Sequence, residues 1–65
     1  MKARIVFTHK SPYTGEFDAG DYGIVDGYCR GGDDVPCAVV IREKDGRFIL
    51  APVSFLKHIG WVKTD

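Results

Sequence analysis

Residues 3 to 8 alternate, with Ala3, Ile5 and Phe7 interleaved with Arg4, Val6 and Thr8. A period of two predicts a half-buried β-strand. Residues 9 to 21, "HKSPYTGEFDAGD", are rich in turn formers and read as a long loop. A second strand runs through "YGIVDGYC", residues 22 to 29, and the "RGGDD" turn leads to a third, "CAVVIRE", residues 37 to 43. Lys44-Asp45-Gly46 follows as a tight turn, since Asp-Gly between apolar runs is among the stronger hairpin signals. "RFILA", residues 47 to 51, is the fourth strand, ended by Pro52, which has no N–H to give to a ladder. The stretch "PVSFLKH" is too short for a stable helix and predicts a single 3-10 turn. "IGWVK", residues 59 to 63, makes a short fifth strand.

Five short strands, a long first loop, a shorter second, a tight third hairpin and a helical turn before the last strand resemble the SH3-like barrel. "EFDAGD", residues 16 to 21, sits where that fold's long first loop ends, and "LAPVSFL", residues 50 to 56, where its helical turn belongs. The resemblance implies an all-β, five-stranded SH3-like barrel with a single 3-10 turn before the last strand, in one domain spanning residues 1 to 65. Closure into a barrel removes the exposed edges that a small sheet must otherwise protect.

Residues 24 to 59 also resemble the plasmid-borne type II dihydrofolate reductases, themselves small SH3-like barrels. That family's "IVxxYC" strand matches Ile24, Val25, Tyr28 and Cys29, and its "PVxxLxxI" turn matches Pro52, Val53, Leu56 and Ile59. Ala38, Val39 and Gly46 fall on matching residues between them without a gap. The family's active site is a pore at the centre of a homotetramer, to which each subunit lends a "VQIY" strand and a lysine. Here that strand reads Phe48, Ile49, Leu50 and Ala51, so the glutamine and tyrosine positions hold Ile49 and Ala51. Lys10 is the nearest equivalent of the lysine. A site for a pteridine and a nicotinamide needs polar groups, and these two side chains offer none. The scaffold is matched and the site is not. Polyproline-binding SH3 domains are matched no better: Pro52 and Phe55 fit their turn, but the first strand lacks paired tyrosines and Pro36 and Cys37 stand where a tryptophan is needed.

Composition adds bounds. The chain has 65 residues, 45% hydrophobic and 28% charged, with no low-complexity segment. A domain this small has a thin margin of stability. No apolar run reaches the roughly 18 residues that span a bilayer, and Arg4 interrupts the short apolar start, which argues against a signal peptide. The expectation is a complete, soluble, cytoplasmic chain, and the reductase resemblance suggests a bacterial mobile element as its source. Net charge is zero, unlike that of a general polyanion binder. Residues 11 to 34 nevertheless carry Glu16, Asp18, Asp21, Asp26, Asp33 and Asp34 against Arg30 alone.

Four constellations bear on chemistry. Cys29 and Cys37 are each four residues from Asp33, so a hairpin turning there opposes them. Free thiols and a disulfide both remain open, whereas the C-x₇-C spacing is wider than zinc motifs use and predicts no metal. In an SH3-like barrel the first two loops flank one groove, which would gather Glu16, Asp18, Asp33 and Asp34 on an acidic rim, with Tyr13 and Phe17 giving apolar contact. Lys2, Arg4, Arg42, Lys44 and Arg47 could share a basic surface if the first strand and the third hairpin lie together. Trp61 and Phe48 read as core or subunit-interface residues, and His58 as a surface residue on the helical turn. The consecutive apolar residues Phe48, Ile49, Leu50 and Ala51 suggest a strand covered on both faces, the second cover being another subunit.

The sequence therefore predicts a non-catalytic SH3-like interaction module without a cofactor, binding a protein partner through its acidic rim, which favours a basic one. One alternative is a divergent type II dihydrofolate reductase-like enzyme using Lys10 and backbone groups of residues 49 to 51. Another is a small-barrel nucleic-acid-binding protein.

Overall fold

The computed structural model describes residues 1–12 and 15–63. Five strands form one antiparallel sheet: β1 (Lys2–Phe7), β2 (Tyr22–Arg30), β3 (Pro36–Arg42), β4 (Phe48–Pro52) and β5 (Leu56–Val62). The predicted 3-10 turn lies at Val53–Phe55. A second, unpredicted one spans Gly32–Asp34. The last strand begins at Leu56, three residues earlier than the sequence suggests. Among the described residues no helix is long and apolar enough to cross a membrane.

The strand order is β4-β3-β2-β1-β5, so β4 and β5 are the edge strands of an open sheet. The expected closure is not made by strand pairing. The sheet is nonetheless strongly curled, as chain length requires. A flat five-stranded sheet separates its edge strands by about 19 Å. Pro52 and Leu56 are joined by the three residues of one 3-10 turn, a span that reaches at most about 14 Å.

Two β-bulges shape the curl. Val25 pairs with Val40 and Gly27 with Val39, leaving Asp26 as the extra residue in β2. Arg4 pairs with Gly60 and Ile5 with His58, leaving Ile59 as the extra residue in β5. Bulges bend a strand and raise its local twist. β1 pairs with β2 only over Arg4–Val6 and Tyr22–Ile24. Beyond the bulge, β2 continues with β3 while β1 continues with β5, and the two pairs diverge.

Alternation fills the concave side with apolar side chains. Ile5 and Phe7 from β1, Val25 from β2, Ala38 and Val40 from β3, and Ile49 and Ala51 from β4 form the core, joined by Phe17 from the first loop. Gly23 belongs to this packing. A Cβ there would sit 2.3 Å from Val40 Cγ1 and 3.1 Å from the Ile41 carbonyl oxygen, so only a glycine lets these strands approach.

The first loop is held by a buried charge. Arg42 is 5% exposed and lies in phase with Ala38 and Val40 on the inner face. Its Nε donates to Asp45 Oδ1 at 2.9 Å and its Nη2 to Oδ2. Its Nη1 donates to the carbonyl oxygens of Gly15, at 3.2 Å, and Glu16. One guanidinium thus closes the β3–β4 turn and clamps the loop to it. The clamp brings Phe17 onto Phe7, ring centroids 4.2 Å apart and stacked, with Phe55 edge-on at 6.5 Å. The hydrogen bond from Arg42 holds Asp45 down at about 2, and its reciprocal raises Arg42.

Two predictions follow from this packing. Gly23→Ala is expected to destabilise the fold by about 1–3 kcal/mol, the usual cost of forcing a methyl into a filled core; urea unfolding reads it, and an unchanged midpoint would show that Val40 yields freely. Asp45 ionises lower in the fold than its unfolded value of 3.8, so its contribution is full well above that pH and drains away as pH falls toward about 2. Asp45→Asn is accordingly expected to be less stable than the parent at neutral pH, with the gap closing in acid; a gap of constant size from pH 7 to 2 would exclude an ionic origin.

Candidate functional site

Two aromatic side chains on the inner face of the sheet are left uncovered. Tyr28 pairs with Ala38, and Trp61 with Ala3. These partners point inward, and opposed residues in an antiparallel pair share a face. Yet Tyr28 is 70% exposed and Trp61 61%. They stand on either side of the wedge that opens where β2 and β1 diverge. Ala3, Ile5 and Val25 line its floor, and Val53, Leu56 and His58 complete a groove of about 220 Å³. A second hollow of about 310 Å³ shares Ala3, Val25, Tyr28 and Trp61 and reaches Met1, Lys2, Asp26 and Gly27. On its other side Tyr28 borders a hollow formed with Cys29, Arg30, Pro36, Cys37 and Val53. The three hollows share Tyr28 in their linings.

Polar groups sit along the edges of these hollows. His58 meets Trp61 edge to face at 4.6 Å. It lies in β5 opposite Ile5, rather than on the helical turn the sequence suggests, because the strand starts earlier. Lys2 Nζ donates to Asp26 Oδ1 at 2.5 Å, fixing the bulged residue. The walls therefore combine aromatic faces with a few hydrogen-bonding groups, the usual make-up of a recognition surface.

The acidic rim is distributed differently from the expectation. The backbone of Glu16 is bonded to Arg42, the last residue of β3, whereas Asp33 and Asp34 precede its first residue, Pro36. Seven strand residues separate the two groups, about 20 Å along the strand. Glu16 Oε1 accepts from Ser11 Oγ at 2.8 Å, and the Asp18 N–H donates to Asp21 Oδ2 at 2.9 Å. Asp34 is paired with Arg30, Nε to Oδ1 at 3.5 Å. Phe17, expected to offer apolar contact to a partner, is a core residue 3% exposed. Tyr13 lies outside the described residues.

The self-association strand is also corrected in part. Ile49 and Ala51 are 5% and 0% exposed and belong to the core, while Phe48 and Leu50 are 68% and 51% exposed on the outer face. Ordinary alternation accounts for the consecutive apolar residues: one pair is covered by the core and the other faces out. Phe48 pairs with Ile41 and Leu50 with Val39, and Ile24 pairs with Ile41 in the next strand. The outer face thus carries its own apolar strip. Phe48 and Trp61, read as core or interface residues, are too exposed to be core.

The basic surface does not assemble. Arg42 points inward, Arg4 Nε donates to Glu43 Oε2 at 2.6 Å, Lys2 holds Asp26, and Lys44 lies 3.8 Å from Asp21. The hydrogen bond from Arg4 lowers the Glu43 carboxyl below its ordinary value. Arg4 also stacks over the Tyr22 ring at 4.6 Å. Each of these four cations has an acidic neighbour within the chain.

Cys29 and Cys37 are opposed in register, as the turn count predicts, and both are free thiols. Among the described residues no group of three or more histidine, cysteine, aspartate or glutamate side chains is placed to hold a metal ion. No protein-family model, curated protein or solved structure matches the chain.

Proposed function

We propose that this chain is a non-catalytic interaction module that binds a protein segment in the groove between Tyr28 and Trp61. The observation that carries the reading is the exposure of two large aromatic residues on the core-facing side of the sheet. Burying an aromatic side chain contributes on the order of 2–3 kcal/mol, so a partner that covers both recovers what the fold leaves unused. Val53, Leu56 and Val25 give such a segment apolar walls, which favours aliphatic or aromatic anchor residues. Asp33 and Asp34, exposed on the turn beyond Cys29, favour a basic residue beside the anchor. That retains half of the acidic rim as a steering element. The reductase alternative draws less support, because Ile49 and Ala51 are buried apolar side chains. The nucleic-acid alternative draws less because four of the five basic residues expected to carry it, Lys2, Arg4, Arg42 and Lys44, have acidic neighbours.

A second reading, self-association, rests on the outer strip of Phe48, Leu50, Ile41 and Val39. Two nearby cations are matched within the chain, Arg4 by Glu43 and Lys44 by Asp21, which reduces the like-charge repulsion two copies meet there.

Each surface has its own test. Peptides selected from a random displayed library against the intact protein are expected to carry apolar anchors, to shift the emission of its single tryptophan, Trp61, and to lose about 30-fold in affinity on Tyr28→Ala or Trp61→Ala. Selected peptides that bind both variants as well as the parent would place recognition elsewhere. For the outer strip, sedimentation at micromolar concentration is expected to show an oligomer that Leu50→Ser dissociates; a uniform 7.2 kDa monomer rules self-association out.

A further inference from the structure

We propose that Cys29 and Cys37 form a thiol–disulfide modification site that takes a low-molecular-weight disulfide as its oxidant. The two residues are direct partners across the β2–β3 hairpin. Opposed residues of an antiparallel pair have Cα atoms about 4.5–5.5 Å apart, which lies within the roughly 4.4–6.8 Å that a disulfide spans. Their side chains project to the same face of the hairpin, so a bond between them needs side-chain rotation and no change of register.

The two thiols differ in access. Cys29 is exposed and Cys37 is 7% exposed. In the reduced protein the Cys37 Sγ points into the turn, donating to the Val35 carbonyl oxygen at 3.4 Å. It packs closely over Gly31, where an added Cβ would lie 3.0 Å from the sulfur and would require it to shift. A small reagent therefore meets Cys29 first, and Cys37 is held within one rotation of the sulfur that has been modified. The turn between them carries two successive non-glycine residues at positive φ, Asp33 at 59° and Asp34 at 63°, a backbone that persists only where its surroundings hold it. A cross-link at the base of the turn holds it covalently.

The chemistry balances as two exchanges. The Cys29 thiolate attacks one sulfur of the reagent; that S–S bond breaks, and one half leaves with the electron pair and takes up a proton. Cys37 then gives up its proton and attacks the Cys29 sulfur, expelling the second half of the reagent as a thiol. Two protein thiols are oxidised to one disulfide, and one reagent disulfide is reduced to two thiols.

Incubation of the whole chain in glutathione buffers of graded oxidised-to-reduced ratio, followed by acid quenching, alkylation and mass measurement, tests this. The parent protein is expected to pass from a doubly alkylated dithiol to a species about 2 Da lighter than the dithiol that takes up no alkyl group. The oxidised form is expected to melt roughly 10 °C higher, as closing a loop of this size stabilises a small domain. Cys37→Ser is expected to stop at a mixed disulfide on Cys29, and Cys29→Ser to react at least tenfold more slowly. Accumulation of glutathione adducts or intermolecular dimers in the parent, with no internally bonded form, overturns the proposal. So does a Cys29→Ser protein that reacts as fast as the parent. The first of these outcomes needs no variant, so it stands even if Cys37→Ser fails to fold.

Discussion

Much of this small fold depends on one buried guanidinium. An ionised group taken out of water must find partners for all its polar atoms, and Arg42 finds them in two places that the chain would not otherwise join. The Asp45 carboxylate belongs to the β3–β4 turn, and the carbonyls of Gly15 and Glu16 belong to the first loop. Satisfying the charge therefore fixes where the loop lies. Phe17 follows from that placement: it stacks on Phe7 and covers one end of the sheet's concave side. Without the clamp, the core of a 65-residue chain would lack one of its two largest interior aromatics.

The other end of the concave side has no such cover. There β1 leaves with β5 and β2 leaves with β3, and the wedge between them is floored by Ala3 and Val25. The covered and uncovered ends of one sheet face thus divide the labour. One end supplies cohesion through Phe7, Phe17 and Phe55, and the other leaves Tyr28 and Trp61 exposed. A domain with little core to spare leaves this much aromatic surface unburied at a real cost in stability, which is why the groove, more than either group of loop aspartates, anchors the functional reading.

The sequence made most of the sheet legible and hid the groove, for a definite reason. The succession of five strands, the Asp45-Gly46 turn and the pairing of Cys29 with Cys37 all follow from local turn chemistry and a period of two, whereas the long-range pairing of β1 with β5 does not. The inward position of Arg42 was legible by the same rule, since it is in phase with Ala38 and Val40; its charge argued for the surface and obscured the count. Tyr28 and Trp61 were not legible. Counting by twos from Val25 or from Leu56 puts both on the outer face, and only the extra residues Asp26 and Ile59 turn them inward. The one sequence sign of a bulge is the strand-interior glycine that follows each, Gly27 and Gly60. The placement of the acidic loops failed differently, because charge along a sequence does not say at which end of a strand a loop is anchored.

The bulges also bear on which changes of length the exposed aromatic face would survive. Each is a single supernumerary residue around which the pairing keeps step: Val25 with Val40 and Gly27 with Val39 in one case, Ile5 with His58 and Arg4 with Gly60 in the other. Loss of one codon at Asp26 or Ile59 would therefore leave Tyr28 opposite Ala38 and Trp61 opposite Ala3, still on the inner face, and would remove only the local bend. The setting of each ring is fixed by its cross-strand partner, and the extra residue governs the shape of the wedge between them.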